Sequence, residues 1–98
     1  MRSIVETVAF SRWIDALEDR RAVARIAVRI DLLAAGHAGD AKSVGDGVSE
    51  LRIDFGPGYR VYFTQRGNVT VILLCGGDKR SQQEDIRIAQ ALARDLEG

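Results

Sequence analysis

The stretch VSELRIDFGPGYRVYFTQRGNVTVILLC, residues 48–75, decides the fold. From Val48 to Phe55, Leu51, Ile53 and Phe55 fall on one side of an extended chain and Glu50, Arg52 and Asp54 on the other. Tyr59, Val61 and Phe63 then alternate with Arg60, Tyr62 and Thr64. A period of two marks a half-buried strand, because successive side chains point to opposite faces. Gly56-Pro57-Gly58 lies between the two runs and puts Pro at the second and Gly at the third position of a type II turn. Pairing Phe55 with Tyr59, Ile53 with Val61 and Leu51 with Phe63 keeps the large apolar groups on the core side; it predicts Asp54 opposite Arg60 and Arg52 opposite Tyr62. A second turn at Arg66-Gly67-Asn68 leads into VTVILLC, residues 69–75, an apolar run suited to a strand covered on both faces. Together these form a three-stranded antiparallel meander, broken by Gly76-Gly77.

Outward from the meander the period changes. Residues 36–47, GHAGDAKSVGDG, lack periodicity and read as a loop. Before it, Phe10, Trp13, Ile14 and Leu17 form one helical stripe with Ser11 as a cap near its start. After the Glu18-Asp19-Arg20-Arg21 cluster, Val23, Ile26, Ala27, Ile30, Leu33 and Ala34 form a second stripe, which Gly36 ends. Two helices in a hairpin follow. SIVETV, residues 3–8, reads as a short strand. At the other end, Ser81-x-x-Glu84 has capping-box spacing ahead of a helix with Ile86, Ala89, Leu92, Ala93 and Leu96 on one face. The order is α+β: an N-terminal strand, a helical hairpin, a three-stranded meander and a C-terminal helix.

A length of 98 residues predicts a single domain, 1–98. No stretch approaches the roughly 18 apolar residues of a membrane span, and MRSIVETVAF lacks a secretory h-region, so a cytoplasmic protein is expected. Cys75 is the single cysteine, which excludes an intrachain disulfide and a cysteine metal cluster; at the end of an apolar strand it reads as a small buried hydrophobe. Net charge is zero, so nucleic-acid binding requires a local basic patch. Arginine supplies the positive charge at every basic position except Lys42 and Lys79, and its planar fork suits phosphate. Trp13 at helical spacing reads as core, and His37 in its Gly-flanked loop as solvated. Lys79-Arg80 ahead of a helix opposes the macrodipole, which favours a functional use for them.

The segments SELRIDFGPGYRVYF (49–63) and LLCGGDKRSQQEDI (73–86) resemble the central and C-terminal signature of HigB-like addiction-module killer proteins, a branch of the RelE/ParE toxin superfamily. The pattern W-x-x-x-L-x-D-R-R-A-x-A-R-I (13–26) extends the resemblance over the helical hairpin. It implies a RelE-like fold and the toxin of a type II toxin–antitoxin system, paired with a helix-turn-helix antitoxin that represses their shared operon. RelE-like members cut mRNA in the ribosomal A site without metal, whereas ParE-like members poison DNA gyrase, and the fold serves both. The leading reading is a ribosome-dependent mRNA endoribonuclease without cofactor or metal. The alternatives are a gyrase poison and a non-toxic antitoxin-binding module. Cleavage needs a base for the ribose 2′-hydroxyl, cations for the phosphate and an acid for the leaving oxygen.

By the resemblance, Arg60 takes the place of the strand arginine set against the phosphate, Arg52 a nearby basic strand position, and Lys79 the basic residue after the last strand. Arg52 and Arg60 fall on one sheet face. Two positions depart from the pattern: Asp54 stands where a second strand lysine is usual, and Asp85 and Ile86 stand where RelE-like enzymes carry a Tyr. Some HigB-like relatives use an acidic residue with His or Tyr near the C-terminus, so the resemblance implies Asp85 as an acidic partner of the three cations; a general base is not identified.

Overall fold

The structure, a computed structural model, describes residues 1–97. Its elements are β1 (Ser3–Glu6), α1 (Val8–Ala16), α2 (Arg20–Ala34), β2 (Ala41–Gly45), β3 (Val48–Ile53), β4 (Tyr59–Arg66), β5 (Thr70–Gly77), a 3-10 turn (Lys79–Ser81) and α3 (Gln82–Glu97). The five strands form one mixed sheet in the order β1-β5-β4-β3-β2, with β1 parallel to β5 and the other pairs antiparallel. The architecture is α+β, with the helical hairpin, the β3-β4-β5 meander and the C-terminal helix in the expected order.

The helix ends show why the chain turns where it does. Thr7, not Ser11, caps α1, its side chain accepting from the Phe10 amide at 3.1 Å. Asp19 from the charged cluster caps α2, accepting from the Arg21 and Ala22 amides. Gly36 ends α2 at φ +93°; its amide donates to Leu33 O and that of His37 to Leu32 O, the paired bonds of a Schellman motif.

Three expectations about the sheet also fail, each for a physical reason. The first is the loop 36–47, which contains β2: an edge strand paired on one side needs no strong alternation of its own, because β3 supplies its register. The second is the meander register. Ile53 pairs with Tyr59, Leu51 with Val61 and Arg52 with Arg60, two residues away from the expected alignment. A two-residue slip leaves every side chain on its own face, so hydrophobic patterning cannot detect it; turn chemistry decides. The turn spans Phe55 to Gly58, closed by Gly58 N–H donating to Phe55 O at 3.1 Å, with Gly56 at φ +56° and Pro57 in the two central positions. Asp54 is consequently exposed in the connection and does not face Arg60, and Tyr62 faces Glu50 instead of Arg52. The third is Gly76-Gly77, which remain inside β5, paired with Val61 and Arg60.

The sheet divides the interior in two. Phe10, Ile26, Leu33, Leu51, Ile53, Val61, Phe63, Val71 and Leu73 pack between the sheet and the α1–α2 hairpin. Trp13 packs against this cluster, its ring 5.8 Å from Phe10 and 6.3 Å from Tyr59. Val48, Tyr62, Ile72, Leu74, Cys75, Ala89 and Ala93 form the second cluster, under α3. An irregularity opposite Tyr62/Phe63 lets the adjacent Leu74 and Cys75 join that one cluster. Beyond it, a Cβ at Gly76 would lie 2.2 Å from the Trp13 ring and one at Gly77 1.8 Å from an Asp85 carboxylate oxygen. Glycine is needed at both positions because a side chain from each helical layer presses on the backbone.

Candidate functional site

The face of β3 and β4 under α3 carries Val48, Glu50 and Arg52 on one strand and Arg60 and Tyr62 on the other. Arg52 and Arg60 are direct cross-strand neighbours, a like-charge pairing that disfavours a sheet unless a third group compensates. Glu50 is that group. Its carboxylate is buried, with 1% of the residue's surface exposed. It accepts from Arg52 Nε at 3.0 Å and from Gln82 Nε2 at 2.9 and 3.1 Å, and it lies 3.9 Å from Arg60 Nε. A carboxylate this far from water persists only with such partners. Gln82 is the first residue of α3, so the C-terminal helix is fastened to the cluster at its start.

Above Glu50 the arginines open into a cleft of about 390 Å³ lined by Arg52, Arg60 and Lys79, with the 56–58 turn and Asp40 and Asp54 at its sides. Lys79 reaches it from the 3-10 turn, which Asp78 caps by accepting from the Arg80 amide at 2.9 Å. Gly58 closes the turn beside Lys79 and Arg60 at φ +79°, a conformation that favours glycine. Arg29 of α2 fixes the opposite rim by donating to the backbone carbonyls of Ala38, Asp40 and Arg52. Asp40 sits 4.0 Å from Arg52 Nη1. The side chain of Arg60 is 12% exposed and its Nε has no hydrogen-bond partner among the described residues, while Nη1 donates weakly to Gly58 O at 3.4 Å. The buried Nε faces Glu50, so the Nη groups are the donors that can meet an anion in the cleft.

Asp85 does not line this cleft. It lies against Gly77, the cross-strand partner of Arg60, and accepts a short hydrogen bond from Ser81 Oγ. Burial raises the carboxyl pKa, and Asp78 and Glu84 add to the rise, while the Ser81 hydrogen bond lowers it. A carboxyl shifted upward is a better proton donor near neutrality. Tyr62 is fully buried and its hydroxyl lacks a hydrogen-bond partner among the described residues; burial, then Glu50, push its pKa up. Buried under α3, the Tyr62 ring has no free face on which a base could stack. Burial and the Asp85 charge push the Cys75 thiol up to about 12, which suits the expected inert core residue. His37 is exposed and outside the cleft lining.

Of the sequence-derived residues, the three cations converge on one cleft, whereas the carboxyl of Asp85 lies outside its lining, against Gly77 and Ser81. Glu50 and Gln82 were missed because the polar face of β3 was assigned to water. A signal was available: the C-terminal helix has an apolar stripe and needs a sheet face to cover, and the helical hairpin already occupies the other.

Residues 12–94 match the family described as Phage derived protein Gp49-like (DUF891). The chain belongs to the Gp49-like family. An uncharacterized protein of Haemophilus influenzae is 52% identical over 93 residues, covering 95% of this chain and 94% of its own length. The Gp49-like match includes Glu50, Arg52, Arg60, Lys79, Gln82 and Asp85, so the cleft and its supporting carboxylates lie wholly within the family's extent. No helix of this Gp49-like chain is long and apolar enough to cross a membrane among the described residues.

Proposed function

We propose that this Gp49-like protein is the toxin of a type II toxin–antitoxin pair, with a RelE-like fold of the HigB-like branch, and that it cuts mRNA on the ribosome. One observation carries the reading: Arg52, Arg60 and Lys79, from three separate elements, line one cleft. In the reaction, a ribose 2′-oxygen attacks the adjacent phosphorus, the P–O2′ bond forms and the P–O5′ bond breaks, leaving a cyclic phosphate and a free 5′-hydroxyl. Negative charge grows on the phosphoryl oxygens, where the three cations stabilise it. Asp85 is the group proposed to protonate the departing 5′-oxygen. The proton of the 2′-hydroxyl passes to a base outside the cleft, supplied by ribosomal RNA, which gives a reason for dependence on the ribosome.

The partners follow from this reading: a helix-turn-helix antitoxin, the ribosome and its mRNA. The test is to add purified protein to a reconstituted translation reaction and map new 5′ ends, with ribosome-free RNA alongside. New ends that need the ribosome support the proposal; intact mRNA beside folded protein contradicts it. A second reading, inhibition without cutting as by a gyrase poison, draws on Asp40 and Asp54, whose carboxylates share the cleft and offset its charge. Loss of gyrase supercoiling with intact mRNA is the outcome that favours it.

A further inference from the structure

We propose that Glu50 is a positioning residue that aims Arg52 and Arg60 into the cleft and limits the positive charge they present there. The proposal rests on the phosphate-cleft reading above. Three features of the cluster carry it. Arg52 and Arg60 face each other directly across β3 and β4, where two guanidinium groups repel. The carboxylate of Glu50 meets both through their Nε atoms, at 3.0 and 3.9 Å, which leaves the Nη ends of both guanidiniums away from it. Gln82 then fixes the carboxylate by giving Nε2 to both of its oxygens. Glu50 itself is 1% exposed with both oxygens occupied, so it acts through the arginines and does not touch an anion in the cleft.

Its charge has a second consequence. Removing one negative charge behind two arginines strengthens the field in the cleft, while loosening the arginines removes the alignment that bond breaking needs. Binding and turnover therefore move in opposite directions, which loss of fold cannot produce.

The experiment compares wild type with Glu50→Gln and Gln82→Ala, each checked for cooperative thermal unfolding. Fluorescence anisotropy measures affinity for a labelled 2′-deoxy oligonucleotide, which cannot be cut by 2′-oxygen attack, and translation reactions measure the rate of new 5′ ends. Glu50→Gln is expected to bind roughly three- to tenfold tighter and to cut on the order of tenfold or more slowly. Gln82→Ala keeps the charge and loses the fixture, so it is expected to cut more slowly at unchanged affinity. Unchanged binding and cutting by Glu50→Gln overturns the proposal, as does a parallel fall of both in a folded protein. If Glu50→Gln does not fold, Gln82→Ala decides: slower cutting at equal affinity supports the proposal, and wild-type cutting overturns it. If wild type binds the oligonucleotide but cuts nothing, the nuclease reading fails; tighter binding by Glu50→Gln still supports the charge-limiting role and equal binding overturns it. No binding by wild type overturns the charge-limiting role, while the mapping of ribosome-dependent 5′ ends decides the nuclease reading separately.

Discussion

The two faces of β3 and β4 are built from alternate residues of the same stretch, 50–63, yet they differ in kind. Under the α1–α2 hairpin, Leu51, Ile53, Val61 and Phe63 form a wholly apolar layer. Under α3, the residues between them, Glu50, Arg52, Arg60 and Tyr62, form a covered polar cluster that opens into the cleft. The apolar face holds the sheet together through burial, which needs no particular geometry. The polar face contributes little net stability, since desolvation offsets the attraction of buried ion pairs, but it fixes charged groups in space. Stability and the proposed function are thus separated by one residue along each strand.

That separation can be broken by experiment. The largest effect is expected on the apolar face: Leu51→Ala, at a fully buried position, should cost about 2–5 kcal/mol, read by urea unfolding at unchanged m value. Next, the Cys75 thiol, 6% exposed and raised to about 12, should react with a disulfide reagent at pH 8 at least about 100-fold more slowly in native than in unfolded protein. Equal rates would place Cys75 outside the core. The paired glycines compare the faces directly. Gly76→Ala presses on the rigid Trp13 ring and should cost roughly 1–3 kcal/mol, whereas Gly77→Ala presses on the Asp85 carboxylate, the end of a rotatable side chain, and should cost less.

The smallest effects concern isolated charges. Asp85 has a folded pKa above its unfolded value, so its contribution to stability is complete below about pH 4 and is lost as pH rises through the raised folded value. Asp85→Asn, which still accepts from Ser81, should therefore gain Tm over wild type at pH 7 and show no such gain at pH 3.5. Asp54→Ala should change stability by less than about 0.5 kcal/mol, because Asp54 is exposed and does not face Arg60. A larger loss would restore the cross-strand pair that the register denies.

Much of this was legible in the sequence. The period-two runs specified the strands and their faces, the two stripes before Gly36 specified the hairpin, and Arg52 and Arg60 fell on one face as expected. What was hidden was information that patterning does not carry. A two-residue slip in register preserves every face, so the opposition of Arg52 and Arg60 depended on which residues of FGPG form the turn. The edge strand β2 depends on β3 for its pairing, and its own residues announce little. The role of Glu50 depends on Gln82, 32 residues away in sequence, and no local spacing connects them.

The central claim, that the covered polar face is the working face, is tested most directly by two arginine substitutions on one strand. Arg60 lines the cleft, whereas Arg66, at the far end of β4, is exposed and outside its lining. Mapping of new mRNA 5′ ends in a translation reaction should show wild-type cutting by Arg66→Ala and loss of cutting by Arg60→Ala, with both proteins folded. Equal cutting by the two variants would contradict the account.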